Sequence, residues 1–417
     1  MENKEKKYEF EKDSFILFIL MMTANVINYV FQIVMGRLFN VAEYGELNSL
    51  FAIFTLVSLP MNALTLVVAK YVTSYTARGL QGQALGFIKK FFFYILFISV
   101  VLVVLGSTIS PWLAGFIRTE DTVAIVFLFI VAGMATSTAI VTGSLQGLQK
   151  FFDYGLVNII NPLIKLVGSI FLVLLGLKIN GVLGAMLMGN FVLLFLGYFI
   201  LKKHFRSVQI AKVEIDKKDI FKYCLSSLCV NCGISYFTNI DVIIVKHYFP
   251  EIEAGLYSSS AVLAKMILYV STAIIVALFP MVVETDNTGK RAGMILKKAF
   301  IYGGGLSVFA AIMLILLAKP MIIILYGNTY LDAVKYIVPL SLMIVMLSMV
   351  SILANYALAL QKIKTLCISF FAAAIFSLIG IMFFNGAVTD IIIILTVALI
   401  FIFCLNVVNL FRGKGKQ

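Results

Sequence analysis

Apolar runs of about 20 residues or more recur along the whole chain, from residue 14 to residue 411. A helix of 20 residues is about 30 Å long, which matches the hydrocarbon thickness of a bilayer. Only 13% of the residues are charged, whereas ordinary soluble domains carry about 25%. Because so few charges cannot cover a folded surface in water, the sequence predicts an all-α, polytopic membrane protein.

Twelve membrane-spanning helices are predicted from these runs. The first is expected to remain in the protein as a signal anchor, because it continues into the segment GRLFNVAEYGE without a small-residue cleavage pattern. The predicted spans cover about residues 14–36, 46–69, 91–114, 122–146, 154–177, 180–201, 220–246, 255–280, 299–318, 334–360, 365–384 and 388–411.

Lysine and arginine are distributed unevenly between the two sides of this predicted topology. With the N-terminus inside, the inner segments hold 25 of the 33 basic residues and the outer loops hold six. Because basic residues collect on the cytoplasmic side, this bias predicts an even number of spans and cytoplasmic N- and C-termini. The same distribution accounts for the net charge of +13, because basic residues on the cytoplasmic side contact anionic lipid. The charge therefore does not predict a nucleic-acid partner. The inner segments are 1–13, 70–90, 147–153, 202–222, 281–298, 361–364 and 412–417.

A basic loop divides the chain into two similar halves. We predict an N-terminal six-helix bundle over residues 1–201, a cytoplasmic basic linker over 202–219, and a C-terminal six-helix bundle over 220–417. Four matching segments recur in the same order at offsets of 208 to 212 residues, among them FNVAEYGELNSLFAIF and FPEIEAGLYSSSAVLAK. Such parallel repeats place the substrate of a transporter between the halves. The sequence thus predicts two pseudo-symmetric bundles around a central cavity.

Polar side chains line one face of several predicted spans. In lipid, such faces should turn toward the protein or toward a cavity, and amides and lysines are the costly members. We take the amides, the lysines and the tyrosine of these faces as candidate substrate-binding residues. The faces comprise Asn25, Asn28 and Gln32 in span one, Asn158, Asn161, Lys165 and Ser169 in span five, and Ser258, Lys265, Tyr269 and Thr272 in span eight.

Lys165 and Lys265 stand near the middle of spans five and eight. A lysine at the centre of a membrane helix costs about 2.5–3.5 kcal/mol on insertion scales. Asp241, the one acid well inside a span, is a candidate for an ion site or an ion pair. Four interpretations are open. Asp241 pairs with one lysine while amides solvate the other, or the amines snorkel to the surface, or the span boundaries lie elsewhere, or the amines line a water-filled cavity that accepts an anion.

Prolines and cysteines also fall inside the spans. Pro60, Pro162 and Pro339 each remove a main-chain hydrogen bond and are expected to bend their helices.

The run formed by Cys224, Cys229 and Cys232 has no acidic or histidine partner nearby, which favours packing residues over a metal site. No metal or cofactor is predicted.

No enzyme signature is present in the sequence. It contains no H-E-x-x-H, G-x-S-x-G or Walker A motif. The predicted outer loops are short, whereas a membrane-embedded glycan polymerase or ligase is expected to have a larger outer loop with carboxylates. The paired acids Glu251 and Glu253 at the start of span eight are explained by loop solvation and by the helix N-terminus. The chain is therefore predicted not to be an enzyme.

Several segments resemble the polysaccharide-transport flippases of the multidrug/oligosaccharidyl-lipid/polysaccharide (MOP) exporter superfamily, which include the Wzx-type flippases. The segment GRLFNVAEYGELNSLFAIF looks like the family's first outer loop, and EAGLYSSSAVLAK is similar to its motif at span eight. NIDVIIVKHYF and NGVLGAMLMGNF resemble segments of spans seven and six. Two departures occur: Phe39-Asn40 stands where the family has Leu-Gly, and an extra pair of helices found in many relatives is missing.

This resemblance implies a flippase in the cytoplasmic membrane of a prokaryote. Its substrate would be a polyprenyl-pyrophosphate oligosaccharide for O-antigen, capsule or exopolysaccharide, carried from the inner to the outer leaflet. Lys165 and Lys265 would bind the pyrophosphate, and the amides of spans one and five would face sugar hydroxyls. Glycan polymerases and other polysaccharide-assembly proteins are possible partners. One alternative is a cation-coupled multidrug exporter of the same superfamily, which predicts acids in the cavity, and another is a membrane-embedded glycan polymerase or ligase.

Overall fold

The computed structural model describes residues 2–206, 208–213, 217–284, 294, 296–359 and 363–412. This part of the chain is helical and contains no strand, as predicted for an all-α protein. Parts of the predicted linker and of the inner segments 281–298, 361–364 and 412–417 lie outside the described residues, as do the side chains of Thr272 and Cys224.

The helices follow one another with short connections, because each apolar run satisfies its main-chain polar groups internally. A wider helical turn, Phe300–Gly304, precedes the tenth helix, and a short 3-10 helix, Asn328–Ala333, precedes the twelfth. The helices are α1 Glu2–Leu38, α2 Val41–Val57, α3 Leu59–Ala77, α4 Gln81–Ile117, α5 Thr122–Gly147, α6 Phe151–Leu172, α7 Lys178–His204, α8 Lys217–Tyr248, α9 Glu251–Glu284, α10 Gly305–Leu316, α11 Ala318–Leu325, α12 Val334–Ala359, α13 Lys364–Phe383 and α14 Val388–Arg412.

Ten helical stretches among the described residues are long and apolar enough to cross a membrane. One of them, Phe151–His204, contains both predicted spans five and six, which are α6 and α7. Predicted span eight coincides with α9, whose side chains beyond Tyr269 lie outside the described residues. Every predicted span thus corresponds to helix in the structure, and the prediction of an all-α polytopic membrane protein is confirmed.

The turn between α6 and α7 depends on left-handed backbone conformations. Gly176 has a φ of 86°, and Lys178 has a φ of 44°. Glycine adopts this region without steric cost, whereas a residue with a Cβ rarely does. The chain therefore reverses within a few residues, which places the predicted spans five and six side by side.

The three prolines occupy different positions relative to the helices, and the bends expected at them stay predictions. Ser58 separates α2 from α3, and Pro60 lies in the first turn of α3, where its missing N–H is not needed for the helix. By contrast, α6 continues through Pro162 and α12 continues through Pro339. Only Pro60 therefore marks a break between helices.

Asn40 caps the N-terminus of α2. Its Oδ1 accepts a hydrogen bond from the main-chain nitrogen of Glu43 at 2.9 Å, and its own main-chain nitrogen donates to Glu43 Oε2 at 3.2 Å. This reciprocal arrangement is a capping box. This capping box explains why Phe39-Asn40 can stand where the family has Leu-Gly: Phe39 is buried, and Asn40 supplies the cap.

Replacing Asn40 should test this cap directly. Asn40→Ala is expected to lower the free energy of unfolding by about 1 kcal/mol, because the helix loses its side-chain cap. Asn40→Gly, which restores the family's residue, should lower it by only a few tenths of a kcal/mol. Thermal unfolding in detergent measures both. Equal losses in the two variants would show that the cap does not stabilise α2.

The chain forms two compact units. The first contains Met1–Leu38 and Val57–Leu225, and the second contains Phe39–Leu56 and Ser226–Gln417. The prediction placed residues 39–56 in the N-terminal bundle, whereas they pack with residues of the second unit. The arrangement of two pseudo-symmetric six-helix bundles stays a prediction.

Close backbone packing attaches residues 39–56 to the second unit. A Cβ atom on Gly45 would lie 2.7 Å from the main-chain nitrogen of Gly255, and a Cβ on Gly255 would overlap the carbonyl of Val41. Tyr44 is fully buried, and its ring centroid lies 5.6 Å from that of Tyr326 and 5.9 Å from that of Tyr330. Small residues at the crossing and large rings beside it thus hold this helix in place.

In the first unit, α5 is the central helix. It packs against α3, α4 and α7, while α6 packs against α1 and α7. The small residues of α5 allow this close approach, since a Cβ on Gly143 would lie 2.6 Å from the Thr65 carbonyl oxygen. The hydroxyls of Ser99 and Ser137 lie 3.1 Å apart and join α4 to α5.

In the second unit, α12 occupies the central place. It packs against α9, α10 and α14, and α13 packs against α14. Ser260 on α9 donates to the carbonyl of Ala333 at 2.7 Å, just before α12 begins. Asn406 on α14 donates to Ser369 on α13 at 2.7 Å. These polar contacts join neighbouring helices inside an apolar core.

The described part of the predicted linker packs against the first unit. The main-chain nitrogen of Ala211 donates to the Gly82 carbonyl at 3.0 Å, and Lys90 Nζ donates to the Val213 carbonyl at 3.3 Å. A Cβ on Gly86 would overlap the Ala211 carbonyl, so glycine permits this contact. Residues 208–213 therefore lie along the start of α4 and are part of the first unit.

Candidate functional site

Lys165 extends from α6 toward α1. Its Nζ donates to Asn28 Oδ1 at 2.5 Å and lies 4.4 Å from the centre of the buried Phe31 ring. An amide oxygen and an aromatic face both attract a cation without neutralising it. In the described part of the chain, no carboxylate forms an ion pair with this amine. Lys165 is therefore held in place by neutral partners.

Asn28 is oriented by its own helix. Its Nδ2 donates to the Ala24 carbonyl at 3.1 Å, one turn earlier in α1. The donor group of the amide is thus used within α1, and the acceptor oxygen is directed to Lys165. This orientation matches what an ammonium group requires, because it can only donate.

The other predicted polar residues of spans one and five have different neighbours. Asn161 Nδ2 donates to Asn190 Oδ1 on α7 at 2.8 Å, and Asn158 Nδ2 donates to the Tyr154 carbonyl at 2.7 Å. Asn25 is exposed, and Gln32 is half-buried. The structure thus brings Lys165 and Asn28 together, whereas Asn161 joins α6 to α7.

Lys265 on α9 has a similar environment in the second unit. Its Nζ lies 3.5 Å from Asn239 Oδ1 on α8, and Asn239 Nδ2 donates to the Ser235 carbonyl at 3.0 Å. Asn239 follows Asn28 by 211 residues, which is within the offset of the internal repeat. Each of the two lysines therefore lies beside an asparagine, and the two asparagines occupy equivalent positions in the two halves. Each asparagine uses its amide nitrogen within its own helix.

Asp241 is fully buried and is bound to a tyrosine. Its Oδ2 accepts from the Tyr257 hydroxyl at 2.8 Å, and its Oδ1 has no hydrogen-bond partner in the structure. Among the described residues, it forms an ion pair with neither Lys165 nor Lys265. The geometry thus differs from the interpretation in which this acid pairs with one of the lysines.

Tyr269 lies one turn beyond Lys265 on α9. Its side chain is 54% exposed, and Lys265 itself is half-buried. The exposed face of this helix therefore carries both an amine and a phenol. Their role in substrate binding stays a prediction.

Three polar partners of the predicted site residues were not predicted from the sequence. Asn190, Asn239 and Tyr257 each contact a residue of the predicted site, but none was singled out. Asn239 had a detectable signal, because its spacing from Asn28 follows the repeat. Asn190 is a single amide between Gly189 and an apolar run, so no pattern marks it.

Lys246 lies in the last turn of α8. Its side chain is 1% exposed and forms an ion pair with Glu251 Oε1 at 3.2 Å. Glu253 accepts from Lys335 at 3.3 Å and from the Tyr336 hydroxyl at 2.5 Å. The acids at the start of α9 therefore bind specific partners, while the Glu251 side chain remains 62% exposed to solvent.

The fold matches those of membrane transporters of known structure. It is similar to an inward-facing multidrug resistance MATE family transporter of the MOP superfamily, with a TM-score of 0.73 and 14% identity over 97% of this chain and 99% of that chain. It is also similar to the lipid II flippase MurJ in an inward closed conformation, with a TM-score of 0.72 and 14% identity over 95% of this chain and 87% of that chain. An outward-facing MATE transporter gives a TM-score of 0.65 at 14% identity over 96% and 95% of the two chains.

The sequence comparison then identifies the family. The chain belongs to the polysaccharide biosynthesis protein family, whose model matches residues 10–286. No curated protein matches the sequence significantly. This membership agrees with the family resemblance of the segments quoted from the sequence.

Proposed function

We propose that this protein is a flippase for an anionic lipid-linked oligosaccharide. It carries a polyprenyl-pyrophosphate glycan for O-antigen, capsule or exopolysaccharide from the inner to the outer leaflet by alternating access. The observation that carries this proposal is the environment of Lys165, whose amine has Asn28 and the Phe31 ring as its partners among the residues that the structure describes. Because neither partner is negative, the positive charge remains available for an anion.

The charge of the site supports an anionic substrate over an organic cation. A cation exporter requires accessible acids, but the deep acid of this chain, Asp241, is fully buried and bound to Tyr257. Two amines inside helices favour phosphate oxygens, which accept charge-assisted hydrogen bonds from ammonium groups. The other proposed substrate ligands are Lys265, the amides Asn25, Asn28, Gln32, Asn158 and Asn161, and Tyr269.

The location and partners follow from the same proposal. The bias of 25 inner to six outer basic residues supports cytoplasmic N- and C-termini. A carrier of polyprenyl-linked glycans acts in the cytoplasmic membrane of a prokaryote. Its product would be consumed on the outer side, so glycan polymerases and other polysaccharide-assembly proteins are proposed partners. The remaining alternatives are a multidrug exporter of the same superfamily and a glycan polymerase or ligase.

Mass spectrometry of co-purified lipids tests the proposed substrate. Wild type purified in mild detergent from its native host should retain a polyprenyl pyrophosphate that carries sugars. Lys165→Ala should retain at most about a tenth of that amount, because a hydrogen bond to a charged group is lost. Lys319→Ala, which removes an exposed lysine, is the control and should match wild type.

Two results would contradict the proposal. Wild type could retain no polyprenyl-linked sugar, or Lys165→Ala could retain as much as wild type. The first result would direct attention to organic cations, which can be tested by transport into vesicles. The second would assign Lys165 a structural role.

A further inference from the structure

A cavity of about 450 Å³ opens at one end of the first unit, where α5 ends, α6 begins and α7 ends. Part of its lining is apolar and is formed by Leu145, Leu148, Ile200 and Leu201. Leu145 is fully buried, so this apolar surface is continuous with the core of the unit. The cavity lies at the end of the helices for which the distribution of basic residues predicts the cytoplasmic side.

The remaining lining residues are mainly cationic. Lys150, Lys203 and His204 line it together with a single acid, Asp153. With His204 neutral, the lining side chains carry one net positive charge, and with His204 protonated they carry two. Lys150, Lys203 and His204 are all exposed, and the carboxylate of Asp153 occupies the first turn of α6, where a negative charge is favourable.

Contacts within the described protein do not occupy the amino groups of the two lysines. In the part of the chain that the structure describes, neither Lys150 nor Lys203 forms an ion pair or a side-chain hydrogen bond. His204 contacts the ring of Phe205 edge-on and lies close enough to Lys150 and Asp153 to be influenced by both charges. The amines are therefore free to bind an anion.

The same end of α7 has the features of a membrane–water interface. Phe195, Tyr198 and Phe199 are 54%, 58% and 50% exposed, and the rings of Phe195 and Phe199 pack at 4.7 Å between centroids. Lys202 Nζ lies 5.8 Å from the centre of the Tyr198 ring. Exposed aromatic rings followed by basic residues are typical of helices that leave the membrane. The cavity thus lies at the depth of lipid headgroups.

We propose that this cavity binds the phosphate headgroup of an anionic lipid of the inner leaflet. Basic pockets between membrane helices on the cytoplasmic side are suited to such headgroups. Lys150, Lys203 and His204 would donate to the phosphate oxygens, and the leucines and Ile200 would contact the glycerol and the first methylene groups. Inorganic phosphate would use the cations but not the apolar part of the lining, which favours a lipid. The site does not involve Lys165 or Lys265, so it does not depend on the proposed transport function.

Lipid titration of the full-length, delipidated protein in neutral detergent tests this site. Native mass spectrometry should show that phosphatidylglycerol binds wild type at least about tenfold more tightly than phosphatidylcholine. The variant Lys150→Gln/Lys203→Gln should lose this difference. The matched control Lys89→Gln/Lys212→Gln removes two exposed lysines outside the cavity and should keep it.

Three outcomes would overturn the proposal. The cavity variant and the control could bind phosphatidylglycerol equally, phosphatidylcholine could bind as tightly as phosphatidylglycerol, or inorganic phosphate could displace the lipid at equal concentration. A measurement on wild type alone covers the case of a variant that does not fold. A photoactivatable phosphatidylglycerol should label peptides that contain residues 145–153 or 200–204, and labelling confined to other peptides would also refute the site.

Discussion

Lys165→Met should strongly reduce transport without destabilising the protein. Methionine fills a space similar to that of the lysine stem and packs well in apolar surroundings. The wild-type amine opposes membrane insertion by about 2.5–3.5 kcal/mol, and its removal leaves the Asn28 oxygen unpaired, which costs about 1–3 kcal/mol. The two effects nearly cancel, so the free energy of unfolding should be unchanged or slightly higher.

The effect on transport should be large. A substrate phosphate would lose a charge-assisted hydrogen bond in a poorly hydrated site, which corresponds to a reduction of about 10- to 150-fold. Reconstituted vesicles that contain a polyprenyl-pyrophosphate oligosaccharide provide the transport measurement, and thermal unfolding in detergent provides the stability. Lys319→Met, which alters an exposed lysine, should leave both unchanged.

A structural lysine would give the opposite pattern. If the amine mainly joins α6 to α1 through Asn28, Lys165→Met should lower the unfolding temperature, and the loss of transport should equal the loss of folded protein. Asn28→Leu provides a second comparison. It removes the same hydrogen bond while keeping the positive charge, so the proposed role predicts that its transport defect is smaller than that of Lys165→Met.

Gly255→Val should prevent correct packing of α2 in the second unit. A Cβ at this position would overlap the main-chain carbonyl of Val41, and main-chain atoms cannot move aside as a flexible side chain can. The nearest atoms to a Cβ on Gly45 belong to the main chain of Gly255, so the crossing tolerates no side chain from either helix. Overpacking of a dense core costs about 1–3 kcal/mol, and a backbone clash costs more. We expect a loss of more than about 3 kcal/mol in the free energy of unfolding.

The packing around the crossing enlarges this effect. Tyr44 donates a hydrogen bond to the Tyr326 hydroxyl at 3.3 Å, and its ring packs edge-on against Tyr330. If α2 is displaced, these buried rings lose their contacts, and the polar hydroxyls are left in an apolar interior. The damage should therefore extend beyond the glycine pair to the segment 328–333.

Size-exclusion chromatography and thermal unfolding measure the outcome. Gly255→Val should yield little monodisperse protein, and what remains should unfold at a lower temperature than wild type. Gly305→Val is the matched control in the same unit, because a Cβ built there meets no atom within 4 Å. Similar behaviour of the two variants would mean that the contact between Gly45 and Gly255 does not hold α2.

The helices could be predicted because the signal for them is local. In a bilayer, each spanning segment must satisfy its own main-chain groups, so an apolar run of sufficient length becomes a helix whatever lies elsewhere in the chain. The turn at Gly176 and the break at Pro60 follow from single residues in the same way. Even Lys165 stood out, since a charge inside an apolar run is visible without any partner.

The partners of these residues could not be predicted, because they are far away in the chain. Asn28 is 137 residues from Lys165, and Asn190 is 29 residues from Asn161. None of these pairs has a periodicity that sequence alone could reveal.

The sequence by itself thus determined an all-helical membrane protein, the order of its spans and the presence of two intramembrane amines. These properties depend on local hydropathy and on the cost of a charge in lipid. Only the tertiary structure decided that neutral groups hold Lys165 and that residues 39–56 pack in the second unit. Both outcomes depend on close contacts between distant segments, where the fit of a glycine or the direction of an amide oxygen decides which helices meet.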